Sequence, residues 1–322
     1  ALLQSLDRYP YGCSEQIVSR AMPLLYVNAL AAGEKLGLDG GLDERVRGAI
    51  ERVLARQDSS GAFGAWSTEN AGDTWLTAYV TDFLTRARER GFAVPQMAFN
   101  SALDRLRNTV ANTTNVENGG MDLAYAAYVL ARNGRPVMGD LRYLADTRLA
   151  DFATPLGRGQ LAAALALLGD RGRAQKGFEA AVQTLQAERD KGAYRADYGS
   201  RLRDGAALLA LSTEAGFSQA TLQPVAAVLG QERADGRSTS TQENAWMVLA
   251  AQSLAKESDS LSLTIDGKTE TGPLSRLYRA PALEARPVRI VNAGREAVPV
   301  AIGVQGNPIA LEPAASQGFT VE

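Results

Sequence analysis

The stretch that determines the fold of this chain is YPYGCSEQ, at residues 9–16, which contains the only cysteine among 322 residues. Apolar residues recur at helical spacing from Ile17 onward, so a helix is predicted to begin here. Cys13 and Gln16 are three positions apart and therefore share one face of its first turn. A thiolate in that position could attack the side-chain amide carbon of Gln16, expel ammonia and leave an internal thioester. Gly12 would allow the backbone to turn sharply into the helix.

This stretch resembles the thioester motif of the α2-macroglobulin and complement family, usually PYGCGEQ. Six residues match it: Pro10, Tyr11, Gly12, Cys13, Glu15 and Gln16. Ser14 stands where the motif has a glycine. The sequence GDTWLTAY at residues 72–79 resembles the start of a later helix in the same domain, and TQENAWMVLA at residues 241–250 resembles the last inner helix of bacterial members. A lone cysteine buried as a small apolar side chain is the alternative interpretation.

Composition excludes several classes of function. With 34 Lys and Arg against 36 Asp and Glu, the overall charge gives no reason to expect nucleic acid or an anionic membrane as a partner. No window approaches 18 consecutive apolar residues, so no membrane span and no direct membrane contact are expected. A chain without histidine cannot use a Ser–His–Asp or Cys–His nucleophile, and one cysteine makes a zinc site improbable. We therefore expect no metal and no cofactor.

The chain is rich in alanine and leucine, and apolar helical segments recur every 40 to 60 residues or so. Six are apolar on more than one face, as helices buried on both sides should be: residues 13–30, 73–84, 121–131, 160–168, 204–212 and 242–254. Five amphipathic segments alternate with them: residues 43–56, 96–109, 140–152, 173–188 and 219–231. The pattern predicts a mainly α fold over residues 1–257, an α/α toroid of about six helical hairpins. A stacked solenoid remains open because periodicity does not reveal closure.

Local signals mark the connections in this helical region. Asp43 is predicted to be an N-cap. The loop RQDSSGAFGAW at residues 56–66 is predicted to be anchored to its hairpin by Phe63 and Trp66, whose simplest role is packing.

Residues 258–322 change to a period of two, with a hairpin signal at Asp266-Gly267. They predict a β module of four or five strands. The resemblance implies that this module is the C-terminal half of a CUB-like domain, with a pairing edge or apolar face left uncovered. The chain begins without a signal peptide and is interpreted as a piece of a longer protein.

A thioester survives only where water is excluded, and aromatic side chains suit such a pocket. Tyr9, Tyr11, Trp75 and Tyr79 are the candidates for this lining, although ordinary core packing would explain them too. Glu15 is expected to cap the first turn of the helix or to sit there as an anion.

By resemblance, the chain is the thioester domain of a bacterial protease-trapping α2-macroglobulin. Its partners would be the captured proteases, bound through lysine amines, and neighbouring macroglobulin-type domains of the same chain. Such a trap acts once and is not an enzyme. The histidine-mediated route of some complement proteins is closed here. The resemblance also implies a periplasmic location, with the full-length protein anchored to the inner membrane.

Two other functions fit a helical repeat. The first is an α/α-toroid enzyme of the terpene cyclase or prenyltransferase type, because Gln57-x-x-x-Gly61 resembles a repeat of those cyclases. Their Asp-x-Asp-Asp and aspartate-rich motifs are missing from this sequence. The second is a helical-repeat binding scaffold with an incidental cysteine.

Overall fold

The structure is a computed structural model that describes residues 12–26, 41–113, 116, 120–135, 137–188, 195–217, 223–234, 238–257, 262–271, 278 and 287–292. These residues contain eleven α-helices: α1 Ser14–Ala21, α2 Leu42–Leu54, α3 Thr74–Glu89, α4 Gln96–Asn112, α5 Met121–Arg132, α6 Met138–Thr147, α7 Pro155–Leu167, α8 Arg171–Ala187, α9 Arg201–Glu214, α10 Gln223–Ala234 and α11 Thr241–Glu257. Short 3-10 turns occupy Thr68–Asn70 and Leu149–Asp151. Three strands follow: β1 Ser262–Ile265, β2 Lys268–Thr271 and β3 Ile290–Asn292.

The odd-numbered helices form an inner ring. Each of them packs against the next, and α11 returns to pack against α1, which closes the ring. The even-numbered helices lie outside and pack against their inner neighbours. The predicted α/α toroid is confirmed, and closure excludes the open solenoid.

The burial of each helix follows from its place in the ring. Along α3 every residue from Trp75 to Ala87 is buried, because the helix meets the core on one side and the outer layer on the other. On α2 only one stripe is buried, formed by Val46, Ala49, Ile50 and Val53 at helical spacing. The two types of apolar pattern in the sequence thus correspond to the two layers.

Side-chain caps fix where several inner helices begin. The Asp73 carboxylate accepts a hydrogen bond from the Leu76 amide at 3.0 Å, and the Ser200 hydroxyl accepts one from the Arg203 amide at 3.1 Å. The predicted cap at Asp43 is wrong, since α2 begins after Gly41 and Asp43 lies inside its first turn. Gly41 adopts φ 144°, a backbone conformation that favours glycine.

The strands form an antiparallel sheet in the order β2-β1-β3. Asp266 and Gly267 make the β1–β2 turn with φ of 50° and 87°, as the Asp-Gly signal predicts. Leu263 and Ile265 are buried on one face of β1. The strands predicted around residues 298–304 lie outside the described residues.

Backbone contacts divide the chain into two compact units, residues 1–259 with 273–277 and residues 260–272 with 278–322. Their assignment as a thioester domain over 1–257 and half of a CUB-like domain over 258–322 stays a prediction. None of the described helices is long and apolar enough to cross a membrane.

Candidate functional site

Cys13 and Gln16 face each other across the first turn of α1. Cys13 is the N-cap of the helix, with φ −65° and ψ 160°. Its sulfur accepts the backbone N–H of Gln16, while the Gln16 Oε1 accepts the backbone N–H of Cys13 at 3.3 Å. This is a reciprocal capping box, with a cysteine in the place of the usual serine or threonine. It brings the sulfur and the carboxamide together at the start of the first inner helix.

The Cys13 thiol is half-buried, and neighbouring groups shift its pKa in opposite directions. Burial raises the pKa of this thiol, and the N–H of Gln16 lowers it. The Glu15 carboxylate also raises the pKa, whereas the Glu15 N–H and the Arg56 guanidinium lower it. The net shift is upward, because desolvation penalises the charged thiolate.

The loop at residues 56–66 holds the start of α1. The Ser14 amide donates to Ala65 O at 2.9 Å, and the Ser14 hydroxyl donates to Gly64 O at 2.7 Å. Arg56 Nη1 donates to Ala65 O at 2.9 Å and to Ser14 Oγ at 3.2 Å. A Cβ on Gly64 would lie 1.7 Å from Ser67 O, so only glycine fits there.

Of the two aromatic residues predicted to anchor this loop, one does so. Phe63 is fully buried, and its amide donates to Thr77 Oγ1 at 3.2 Å. The prediction for Trp66 is wrong, because its side chain is 60% exposed. The backbone bonds of Gly64 and Ala65 fix the loop without it.

Glu15 is buried and joins α1 to the last inner helix. Its Oε1 accepts hydrogen bonds from Ser19 Oγ at 2.6 Å, Gln242 Nε2 at 3.0 Å and Thr241 Oγ1 at 3.1 Å. The expected cap on backbone amides is therefore corrected: the carboxylate is held by side chains, two of them from α11. Ser19 belongs to no motif and was not predicted as a site residue. Arg56, Thr241 and Gln242 open two of the stretches quoted from the sequence, but no local signal assigned them to the site.

The two described candidates for the aromatic lining are buried next to each other. Trp75 and Tyr79 stack with ring centroids 5.1 Å apart, and the Tyr79 hydroxyl lies 2.9 Å from Ser19 Oγ. Tyr79 thus reaches α1 one turn beyond Glu15, and burial raises the pKa of its hydroxyl. Tyr9 and Tyr11 lie outside the described residues. A Cβ at Gly12 would meet only Ile17 at 3.8 Å, so space alone does not require glycine there.

No cluster of three or more carboxylate, histidine or cysteine side chains within the described residues could hold a metal ion. What the site offers is a nucleophile and a carboxamide, held together at one end of a closed ring of helices. This combination defines the class of α/α-toroid domains with a Cys-x-x-Gln pair.

Comparison with known proteins places the chain within this class. A family model described as the A-macroglobulin TED domain matches residues 1–111. Alpha-2-macroglobulin of Escherichia coli K12 is 35% identical over 265 residues, which are 78% of this chain and 16% of that protein. Alpha-2-macroglobulin of Xylella fastidiosa Temecula1 is 30% identical over 96% of this chain and 20% of that protein. The chain therefore spans a fifth or less of the length of these relatives.

Solved structures agree with these sequence matches. Native E. coli alpha-2-macroglobulin from domain MG7 to the C-terminus has a TM-score of 0.73 and 31% identity, over 91% of this chain and 48% of that chain. Salmonella alpha-2-macroglobulin reacted with methylamine has a TM-score of 0.73 and 32% identity, and the match covers 91% of this chain and 20% of that chain. E. coli alpha-2-macroglobulin activated by porcine elastase has a TM-score of 0.69 and 31% identity, and the match covers 88% of this chain and 25% of that chain. The chain belongs to the α2-macroglobulin family and contains the thioester domain of a bacterial member.

Proposed function

We propose that Cys13 and Gln16 form an internal thioester, and that the full-length protein uses it to capture attacking proteases covalently. The observation that carries this proposal is the reciprocal capping box, in which the Cys13 sulfur accepts the Gln16 N–H and the Gln16 carboxamide oxygen accepts the Cys13 N–H. The similar Salmonella protein that has reacted with methylamine and the similar E. coli protein activated by elastase support it. The cyclase, prenyltransferase and scaffold alternatives are not favoured by any of these comparisons.

The proposed chemistry has two steps. In the first, the Cys13 thiol gives its proton to solvent and the thiolate attacks the side-chain carbonyl carbon of Gln16. A C–S bond forms, the C–N bond breaks, and the amide nitrogen takes up a proton from solvent and leaves as ammonia. In the second, an amine of the captured protein attacks the same carbon. A C–N bond forms, the C–S bond breaks, the sulfur leaves as a thiolate, and the amine proton passes to solvent. The product is an isopeptide link with no return to the starting state, so the domain is a single-use trap rather than an enzyme.

One structural observation and two features of the sequence also support this role. Trp75 and Tyr79 supply apolar surface close to α1, where an intact thioester would need protection from water. Gly12, Tyr11 and Tyr9 directly precede the pair and are proposed to support it. With no histidine in the sequence, direct attack by lysine amines is the proposed route of capture.

The wider setting is proposed from the family alone. The full-length protein would lie in the periplasm, anchored to the inner membrane, where it would meet proteases. Neighbouring macroglobulin-type domains of the same chain would cover the thioester until cleavage exposes it.

The intact mass of the full-length protein tests the thioester. We expect a mass lower than that of the encoded sequence by one ammonia. Methylamine should then add its whole mass to the chain, which leaves it one CH2 group heavier than the encoded sequence, and should release one thiol per chain. Cys13→Ala should abolish both effects, whereas Ser19→Ala should retain them because its hydroxyl is not part of the reacting pair. An unreduced mass in freshly prepared protein, with a thiol titratable before methylamine, would refute the proposal.

A further inference from the structure

Two oppositely charged side chains, Glu15 and Arg56, act on the Cys13 thiol. The Glu15 carboxylate is turned toward α11, where Ser19, Thr241 and Gln242 hold it. Arg56 belongs to the loop that holds Ser14, and its guanidinium donates to Ser14 Oγ and Ala65 O. Glu15 therefore disfavours a negative charge on the sulfur, and Arg56 favours it.

The position of Arg56 contradicts a simple electrostatic rule. The N-terminus of a helix carries partial positive charge, so anions are stabilised there and cations are not. Arg56 nevertheless places its guanidinium at the start of α1, bonded to Ser14 Oγ and to Ala65 O. Local rules of this kind are broken most often where function requires it.

The second step of the proposed reaction creates the negative charge that would explain this arrangement. When an amine displaces the sulfur, the leaving group is a thiolate at the N-terminus of α1. The N–H groups of Glu15 and Gln16 donate to this sulfur. Arg56 adds a positive charge nearby, because its guanidinium donates to the hydroxyl of Ser14, the residue that follows Cys13.

We propose that Arg56 is a positioning residue for the thioester, which stabilises the departing Cys13 thiolate and so speeds displacement by amines. It contacts Ser14 and Ala65 rather than the sulfur, so it is not a catalytic residue. Ser14, which stands where the family motif has glycine, supplies the hydroxyl that receives the guanidinium. This inference rests on the proposed function, because it assigns a role within the same reaction.

Arg56→Met in the full-length protein tests the role of the charge. Release of the Cys13 thiol by methylamine should slow roughly twofold, because a leaving thiol of higher pKa departs more slowly. In the methylamine-treated protein, the pH profile of Cys13 alkylation should shift upward by about half a unit. Arg56→Lys should restore most of both effects, since it keeps the charge and loses only the planar hydrogen bonds.

Arg52→Met is the matched control. Arg52 lies one turn earlier on α2, is exposed, and is bonded to Gly48 O rather than to the site. It removes the same net charge and should leave the rate and the profile unchanged. Equal effects of Arg52→Met and Arg56→Met, no shift in the alkylation profile, or failure of Arg56→Lys to restore it would overturn the inference.

The two proposals fail in different ways. If the wild-type protein shows no loss of ammonia, the thioester is refuted. The alkylation profile needs only a free thiol, so it still reports whether Arg56 acts on Cys13. If the mass change is present in the wild-type protein and in the Arg56 and Arg52 variants but their alkylation profiles coincide, the thioester stands and the role of Arg56 is refuted.

Discussion

At the scale of single residues, the reactivity of Cys13 depends on a balance between neighbours. Burial and the Glu15 carboxylate raise the pKa of the thiol, while two backbone N–H groups and Arg56 lower it. Glu15 is itself buried, and its Oε1 accepts hydrogen bonds from three neutral side chains. These three hydrogen bonds fix the position of the carboxylate two residues from Cys13.

Glu15→Gln is expected to lower the pKa of the Cys13 thiol, because it removes a negative charge that opposes thiolate formation. Alkylation of the free thiol as a function of pH measures this change. Glu44→Gln, at an exposed position in the first turn of α2, is the control and should leave the profile in place. A profile that stays fixed or moves upward in Glu15→Gln would show that Glu15 does not act through its charge.

At the scale of elements, the fit between layers decides which substitutions the helices tolerate. Gly177 on the outer helix α8 lies against Ala162 on α7, and a Cβ added there would be 2.8 Å from the Ala162 Cβ. Gly48 on α2 would meet nothing within 4 Å. Both glycines are internal to outer helices, so their difference comes from tertiary packing and not from local conformation.

These two glycines make a matched pair for measuring that packing. Gly177→Ala should lower the free energy of unfolding by about 1–3 kcal/mol, because the two helices must move apart. Gly48→Ala should raise it by about 0.5–1 kcal/mol through higher helix propensity. Urea unfolding of the two variants gives both values. The packing argument is wrong if both substitutions change stability in the same direction.

At the scale of the whole molecule, a partly buried ion network joins inner helices to one another. Arg86 on α3 is fully buried, and it pairs with Asp82 at 2.9 Å and with Glu214 on α9 at 2.7 Å. Tyr128 on α5 donates to Glu214 at 3.1 Å, and Arg132 on the same helix pairs with it at 2.8 Å. The network thus connects three helices that are far apart in sequence. Removing one partner of such a network leaves an uncompensated buried charge.

Glu214→Gln should destabilise the fold at pH 7 and make it less sensitive to acid. Burial alone would raise the pKa of Glu214, but Arg86 and Arg132 lower it to about 2. Because the unfolded value is about 4.3, the ionised carboxylate stabilises the fold above that pH, and this stabilisation is lost as the pH falls toward 2. The free energy of unfolding should therefore fall less steeply between pH 5 and pH 2 in the variant.

The control for this prediction is Asp104→Asn. Asp104 pairs with Arg135 on the surface at 2.7 Å, with 60% of its side chain exposed. A surface pair of this kind contributes about 0–1 kcal/mol, so the pH dependence should be close to that of the wild-type protein. A Glu214→Gln curve parallel to the wild-type curve would contradict the assigned role of Glu214.

Local patterns in the sequence predicted many of these elements. The Asp-Gly turn between β1 and β2 and the inner and outer helices follow from turn chemistry and apolar periodicity, which are encoded within a few neighbouring residues. The wrong predictions arose because local residue type does not show how the surrounding structure places a side chain. Asp43 has the residue type of a cap but lies inside the first turn, and Trp66 is a large aromatic residue that the surrounding loop leaves exposed.

The sequence by itself determined that a helix begins next to Cys13, because the apolar spacing that follows is helical. It also determined that Cys13 and Gln16 share one face of the first turn, because they are three residues apart. Only the tertiary structure decided that the helices close into a ring and that Glu15 meets Gln242, 227 residues later. It also decided that Arg56 reaches Ser14, 42 residues earlier. The physical reason is that helical periodicity specifies which face of a helix is buried, but not which distant helix covers that face.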